Sequence, residues 1–189
     1  MMKKTLYITC CLAAAYINAQ VSIGGNQSVN GSSTILDFAG STGTEISADA
    51  ETANDKGIIL PAVAKSPTYA VVSPTTNHPN NGTFIFDVDT KMVRMFENGA
   101  WVNLSDAAGN ATKILSNVSD EKGSGVIIGA KTTAANGVLV LEAPDKAMIL
   151  PHIKNPHTTV KSPYPGMMCY DTVSNSLAVF DGARWNYWK

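Results

Sequence analysis

One block of sequence occurs twice in this chain, and that repeat constrains its fold more than any other feature. Gly82-Thr83-Phe84-Ile85-Phe86-Asp87 returns as Gly166-Met167-Met168-Cys169-Tyr170-Asp171. Phe96-Glu97-Asn98-Gly99-Ala100-Trp101 returns as Phe180-Asp181-Gly182-Ala183-Arg184-Trp185, at the same offset of 84 residues. Upstream, Gly57-Ile58-Ile59-Leu60-Pro61 matches Ala147-Met148-Ile149-Leu150-Pro151. Further upstream, Val21-Ser22-Ile23-Gly24 matches Val126-Ile127-Ile128-Gly129, and Thr34-Ile35-Leu36-Asp37 matches Leu139-Val140-Leu141-Glu142. Features recurring in one order mark a duplicated structural unit. The offset grows toward the N-terminus, so the first copy carries insertions, one around Gly40 to Asn54 and one between Pro61 and Gly82. The copies span 21–104 and 126–189, with a polar linker at 105–125.

Each copy ends in three β-prone runs, 83–87, 92–96 and 100–104, then 167–171, 176–180 and 184–188. Turn residues separate them, and Asn98-Gly99 and Asp181-Gly182 are strong hairpin signals. Two tight turns in succession predict a three-stranded antiparallel meander. The glycine shifts by one position between the copies while the Phe-to-Trp spacing holds. The two loops therefore need positive φ at different places and should differ in turn type or carry a bulge. Proline cannot donate to a ladder, so Pro61 and Pro151 should each end a short buried strand. The Pro-, Thr- and Asn-rich runs that follow rarely hold long helices. The fold class expected is all-β, two homologous modules of short strands with little helix.

The first 19 residues read as a secretory signal. Lys3 and Lys4 supply the positive start, Leu6 to Ile17 the short apolar core, and Ala19 a small residue before a cut at Gln20. Twelve apolar residues are too few to span a bilayer, so no membrane insertion is expected after cleavage. Cys10 and Cys11 leave with the leader. Cys169 then stands alone in an apolar run, as a buried and inert thiol with no disulfide. The formal net charge is −1, and no basic cluster exists to displace phosphate counterions, so nucleic acid is excluded as a partner.

Catalytic, cofactor and metal signatures are missing. No Gly-x-Ser-x-Gly or His-Glu-x-x-His occurs. His152 and His157 are five apart across Asn155-Pro156, which is no metal spacing. Asp87 and Asp89 lack the glycine and glutamate of a calcium loop. Six Asn-x-Ser/Thr sequons follow from the Asn/Ser/Thr-rich composition. Among the tryptophans, Trp101 and Trp185 hold equivalent positions, which favours a core role with Phe96 and Phe180. Trp188 has no aromatic counterpart at Leu104. With its neighbour Tyr187 it is the expected contact for a ligand or another subunit.

The order Val-x-Ile-Gly, Gly-x-x-Leu-Pro, Gly-x-x-x-Tyr-Asp-Thr and aromatic–Asn/Asp-Gly–x-Trp resembles a repeat module of exported Bacteroidota proteins. It is also similar to segments of phage tail-fibre-like proteins. The resemblance covers most of the chain after the leader. It implies a secreted or cell-surface, non-enzymatic, structural or adhesin-like protein, with homotrimers among the fibre relatives and no cofactor. The family often continues Leu-Pro with an Arg-Met-Thr-type stretch leading into a short helix. Here Ala62-Val63-Ala64-Lys65-Ser66-Pro67 and His152-Ile153-Lys154-Asn155-Pro156 stand instead. Asp171-Thr172-Val173 resembles the short O-glycosylation signal of the same bacteria. The partner expected is a protein or a glycan at the cell surface. The alternative function is a glycan-binding module that uses its exposed aromatic rings.

Overall fold

The computed structural model describes residues 20–23, 29, 33–38, 54–69, 78–115, 123 and 125–189. The predicted leader and most of the Gly40–Asn54 insertion lie outside the described residues. The chain is all-β. It forms several small sheets, and among the described residues the only helix is α1, a single turn at Pro156–Thr159. Pro156 at its first turn is compatible with helix, because that N–H needs no intrahelical partner. The turn follows Leu150-Pro151 and the two-residue strand after it, in the second copy.

Both meanders are present, within a residue of the expected boundaries. In the first, β5 (Thr83–Asp87), β6 (Met92–Glu97) and β7 (Ala100–Asn103) pair antiparallel. In the second, β12 (Met167–Asp171), β13 (Ser176–Phe180) and β14 (Trp185–Trp188) do the same. Equivalence extends to the backbone. Gly82 and Gly166 both take φ 84° and donate to the Phe96 and Phe180 carbonyls at 2.8 Å. The first hairpin loops both end on a left-handed residue, Lys91 and Asn175.

The second hairpin loops differ, as the moved glycine requires. Asn98 and Gly99 both have positive φ, the pattern of a type I′ turn between the paired Glu97 and Ala100. In the second copy only Gly182 does, at the first central position, as a type II′ turn demands; Asp181 N–H donates to the Arg184 carbonyl at 3.1 Å.

Each Leu-Pro pair separates two very short strands. β3 (Ile58–Ile59) and β10 (Ala147–Ile149) end before it; β4 (Ala62–Val63) and β11 (His152–Ile153) begin after it. The strands before proline are half-buried or exposed rather than buried, and Leu60 carries the burial. The strands after proline pair parallel with their own meanders. Phe86 N–H meets the Pro61 carbonyl and Tyr170 N–H meets the Pro151 carbonyl, both at 2.9 Å.

The two halves interlock. β3, from the first copy, pairs antiparallel with β12 of the second meander, and Leu60 N–H donates to the Gly166 carbonyl at 3.0 Å. β10, from the second copy, pairs with β2 (Thr34–Phe38), which in turn pairs with β1 (Val21–Ile23). One core joins both meanders: Leu60, Phe86, Val93 and Leu104 meet Met168 and Val179. Many of its positions are repeat equivalents, such as Phe84 with Met168 and Leu60 with Leu150. The polar stretch after β7 is packed against this body where it is described. Ser105 is buried, Ala111 and Ile114 touch the core, and Asn110 N–H donates to the Asp181 carbonyl at 2.8 Å.

The N-terminal strand pairs also repeat, with a difference. β1 and β2 are parallel with Val21 opposite Leu36; β8 (Val126–Ile128) and β9 (Leu139–Leu141) are parallel with Ile128 opposite Leu141. Under the sequence match the register therefore slips by two residues. A slip of two keeps every side chain on its original face, so the duplicated pattern tolerates it.

Candidate functional site

Among the described residues, a cleft of about 340 Å³ on the outer face of the first meander brings aromatic and charged side chains together. Alternation along β6 creates it. Val93 and Met95 turn into the shared core, so Arg94 and Phe96 face the other way. Phe96 is buried beneath Trp101, the rings meeting edge to face with centroids 5.2 Å apart. Tyr69 stands 4.8 Å from Phe96 and 5.9 Å from Trp101. The Trp101 indole N–H donates to the Pro67 carbonyl at 2.9 Å. Desolvation raises the Tyr69 phenol above its ordinary value, partly offset by a hydrogen bond with Thr83.

Beside this aromatic wall lies a polar cluster. Asp87, fully buried, accepts from Ser66 N–H at 2.9 Å, from the Ser66 hydroxyl, from Thr90 N–H at 3.0 Å and from Arg94 at 3.3 Å. Burial opposes its ionisation, but these donors outweigh burial and hold the carboxyl at about 2. Both oxygens are occupied by protein donors, so Asp87 is a lock on the β5–β6 turn and not a free base. Asp171, its repeat equivalent, locks the matching turn through Asn155, Val173 and Ser174. Asp181 does the same for the last hairpin through Ala183 and Arg184 N–H and the Asn186 amide. Asp181 is legible as a turn residue from Asp181-Gly182, but the Ser66–Asp87–Arg94 cluster is not. Its signal was Arg94 itself, a cation inside the apolar run of β6 where the second copy has Ala178.

Trp185 is half-buried on the rim of the second core, whereas Trp101, expected in the core, is half-buried on the outer face of the first meander; Phe96 and Phe180 are the buried rings beside them. Trp185 packs against the second core, formed by Ile153, Met167, Cys169 and Phe180. The Cys169 thiol is buried there and pushed up to about 12, by desolvation first and then by the Asp171 charge.

Tyr187 and Trp188 are exposed by 40% and 45%, enough to meet a partner, yet neither is idle. The Trp188 indole donates to the Leu104 carbonyl at 2.6 Å, so equivalent positions of the two copies touch. The Tyr187 hydroxyl lies 3.1 Å from His157 Nδ1. Desolvation, then repulsion from Asp171 and Cys169, pushes this phenol up to about 12 against the His157 contact. The cleft and this end do not converge into one site; each is built on its own meander. Thr172 is buried, which takes the resembling O-glycosylation signal off the surface. Trp188→Phe keeps the ring and removes the donor to Leu104. It is expected to cost about 1 kcal/mol, read as a lowered urea midpoint; an unchanged midpoint would mean the indole bond contributes nothing.

In comparisons with known families, curated proteins and solved structures, no match to this chain was found.

Proposed function

We propose that this chain is an exported, non-enzymatic structural or adhesin-like protein of the cell surface or of a fibre, in which the repeats at 21–104 and 126–189 act as assembly units. The observation that carries the reading is strand sharing: β3 of one repeat completes the sheet of the other, and one core spans both. A unit that completes its neighbour's sheet is suited to building larger surfaces. The sequence supports export through its leader-like start. The buried aspartates support the lack of catalysis, since their oxygens are already engaged by protein donors.

The test is surface biotinylation of intact source cells, followed by pull-down from the surface fraction. The chain should be labelled, begin at Gln20 and bring a surface protein or glycan with it. A chain found only inside the cell with its leader intact would end this reading. Its trimer corollary is checked by size-exclusion chromatography with light scattering, where a monomer at micromolar concentration counts against it.

A second reading, glycan binding, is favoured by the Trp101–Tyr69 wall beside fixed polar groups. An indole face stacks on a sugar ring, and adjacent donors and acceptors orient it. Glycan-array binding abolished by Trp101→Ala would place the ligand in the cleft. Binding that survives Trp101→Ala and falls with Tyr187→Ala and Trp188→Ala would place it at the C-terminal end.

A further inference from the structure

Each Leu-Pro pair is the point where the chain crosses from one repeat to the other. β3, before Leu60-Pro61, pairs with β12 of the second repeat, and β4, after it, pairs with β5 of its own. β10, before Leu150-Pro151, pairs with β2 of the first repeat, and β11, after it, pairs with β12 of its own. Proline breaks the ladder at the crossing and holds the residue before it extended, so the strand ahead of it acts as an arm laid on the other repeat. Polar contacts run between the repeats as well. Asn136 N–H donates to Asn80 Oδ1 at 2.7 Å, the Asn54 amide to the His152 carbonyl at 3.3 Å and the Trp188 indole to the Leu104 carbonyl at 2.6 Å. Met168 and Val179 of one repeat close the core around Phe86 and Val93 of the other. Every one of these contacts joins a residue of 21–104 to a residue of 126–189. The same surfaces meet in the same way when the two repeats come from different chains.

We propose that the repeats exchange between chains: the first repeat of one copy packs with the second repeat of a neighbouring copy, through the β3–β12 and β10–β2 pairings that hold a single chain together. The partner is therefore a second copy of this chain, defined by the interface already present inside it. The linker at 105–125 tethers the chain's own partner at an effective concentration on the order of millimolar, so exchange is populated when chains fold together at comparable density. Reciprocal exchange between two chains closes a dimer. A succession of exchanges, each chain offering its second repeat to the next, builds a ring or a fibre. Exchange rests on the assembly reading for its purpose, though not for its chemistry.

Ile59 and Met167 oppose each other, and the adjacent pair is joined by the Leu60 N–H bond to the Gly166 carbonyl. Theirs is therefore a non-hydrogen-bonded pair, with side chains close enough for a disulfide. The experiment is disulfide trapping in the full chain with Cys10→Ser, Cys11→Ser and Cys169→Ala. A chain carrying both Ile59→Cys and Met167→Cys is expected to close within itself at low concentration. Chains carrying Ile59→Cys alone are then mixed in urea with chains carrying Met167→Cys alone, refolded together at high micromolar concentration and oxidised. A disulfide-linked heterodimer is expected, with a yield that rises with chain concentration during refolding. Ile59→Cys refolded with Ala183→Cys, an exposed loop position of the second repeat, is expected to give little. Equal yields from both mixtures, or no heterodimer while the double variant closes within one chain, would overturn the exchange. A double variant that does not close would overturn it too, by removing the β3–β12 pairing on which it depends. The unsubstituted chain, refolded at the same concentrations, should show a dimer or larger species by light scattering; monomer at every concentration would overturn the exchange whatever the variants do. A chain found only inside the cell would end the surface reading and leave the trapping to judge the exchange. A surface-labelled chain that gives no heterodimer would end the exchange and leave that reading.

Discussion

Phe86→Ala is expected to destabilise the chain by about 3–5 kcal/mol, a large share of the roughly 5–15 kcal/mol that holds a typical domain folded. Phe86 has no exposed surface and lies in the core that joins the meanders, beside Met168 and Val179 and close against Gly166. Its removal takes contacts from both halves at once. Urea unfolding followed by tryptophan fluorescence reads each half, since Trp101 belongs to the first meander and Trp185 and Trp188 to the second. Both signals should move together to a lower midpoint in one transition. Two transitions, with only the first shifted, would mean that the repeats fold independently and that the shared core is energetically minor.

That interlocking was the part of the fold least legible in the sequence. The meanders could be read because their signals are local: alternating apolar runs, four-residue turns with aspartate, and Asn-Gly or Asp-Gly at the tips. Even the I′ against II′ difference follows from where Gly99 and Gly182 stand. Which sheet β3 joins is set by neither neighbour in sequence. Ile58 and Ile59 would suit either meander, and the contacts that hold β3 on the second lie around them: Gly57 lies close against Met167 and Met168, and Leu60 N–H bonds the Gly166 carbonyl. The tryptophans are a similar case. Equivalence at Trp101 and Trp185 marked them as structural, but equivalence does not rank burial, and the smaller Phe96 and Phe180 occupy the interior. The cleft was hidden because its parts come from segments 28 residues apart, Ser66 and Arg94, brought together by the parallel pairing of β4 with β5.

The Ser66–Asp87–Arg94 cluster should make the fold acid-sensitive in a defined window. The folded carboxyl sits at about 2 against an ordinary 3.8. A depressed value means that the stabilisation is fully present above the ordinary value and is lost as pH falls from there toward the folded one. The shift corresponds to roughly 2 kcal/mol, disappearing between about pH 4 and pH 2. Asp171, also lowered by its turn partners, titrates in the same direction and steepens the loss. Asp87→Asn is expected to cost about 2–3 kcal/mol near neutral pH, since it strips the charge that Arg94 faces and gives Ser66 and Thr90 a weaker acceptor. Near pH 2 about half of the wild-type carboxyl is itself protonated, so the difference between wild type and variant should shrink as that pH is approached and passed. Urea midpoints measured from neutral pH downward would therefore converge. Parallel curves over the whole range would show that the carboxyl's charge does not stabilise the turn. Ser66 and Thr90 would then hold it through hydrogen bonds that a neutral acceptor serves equally well.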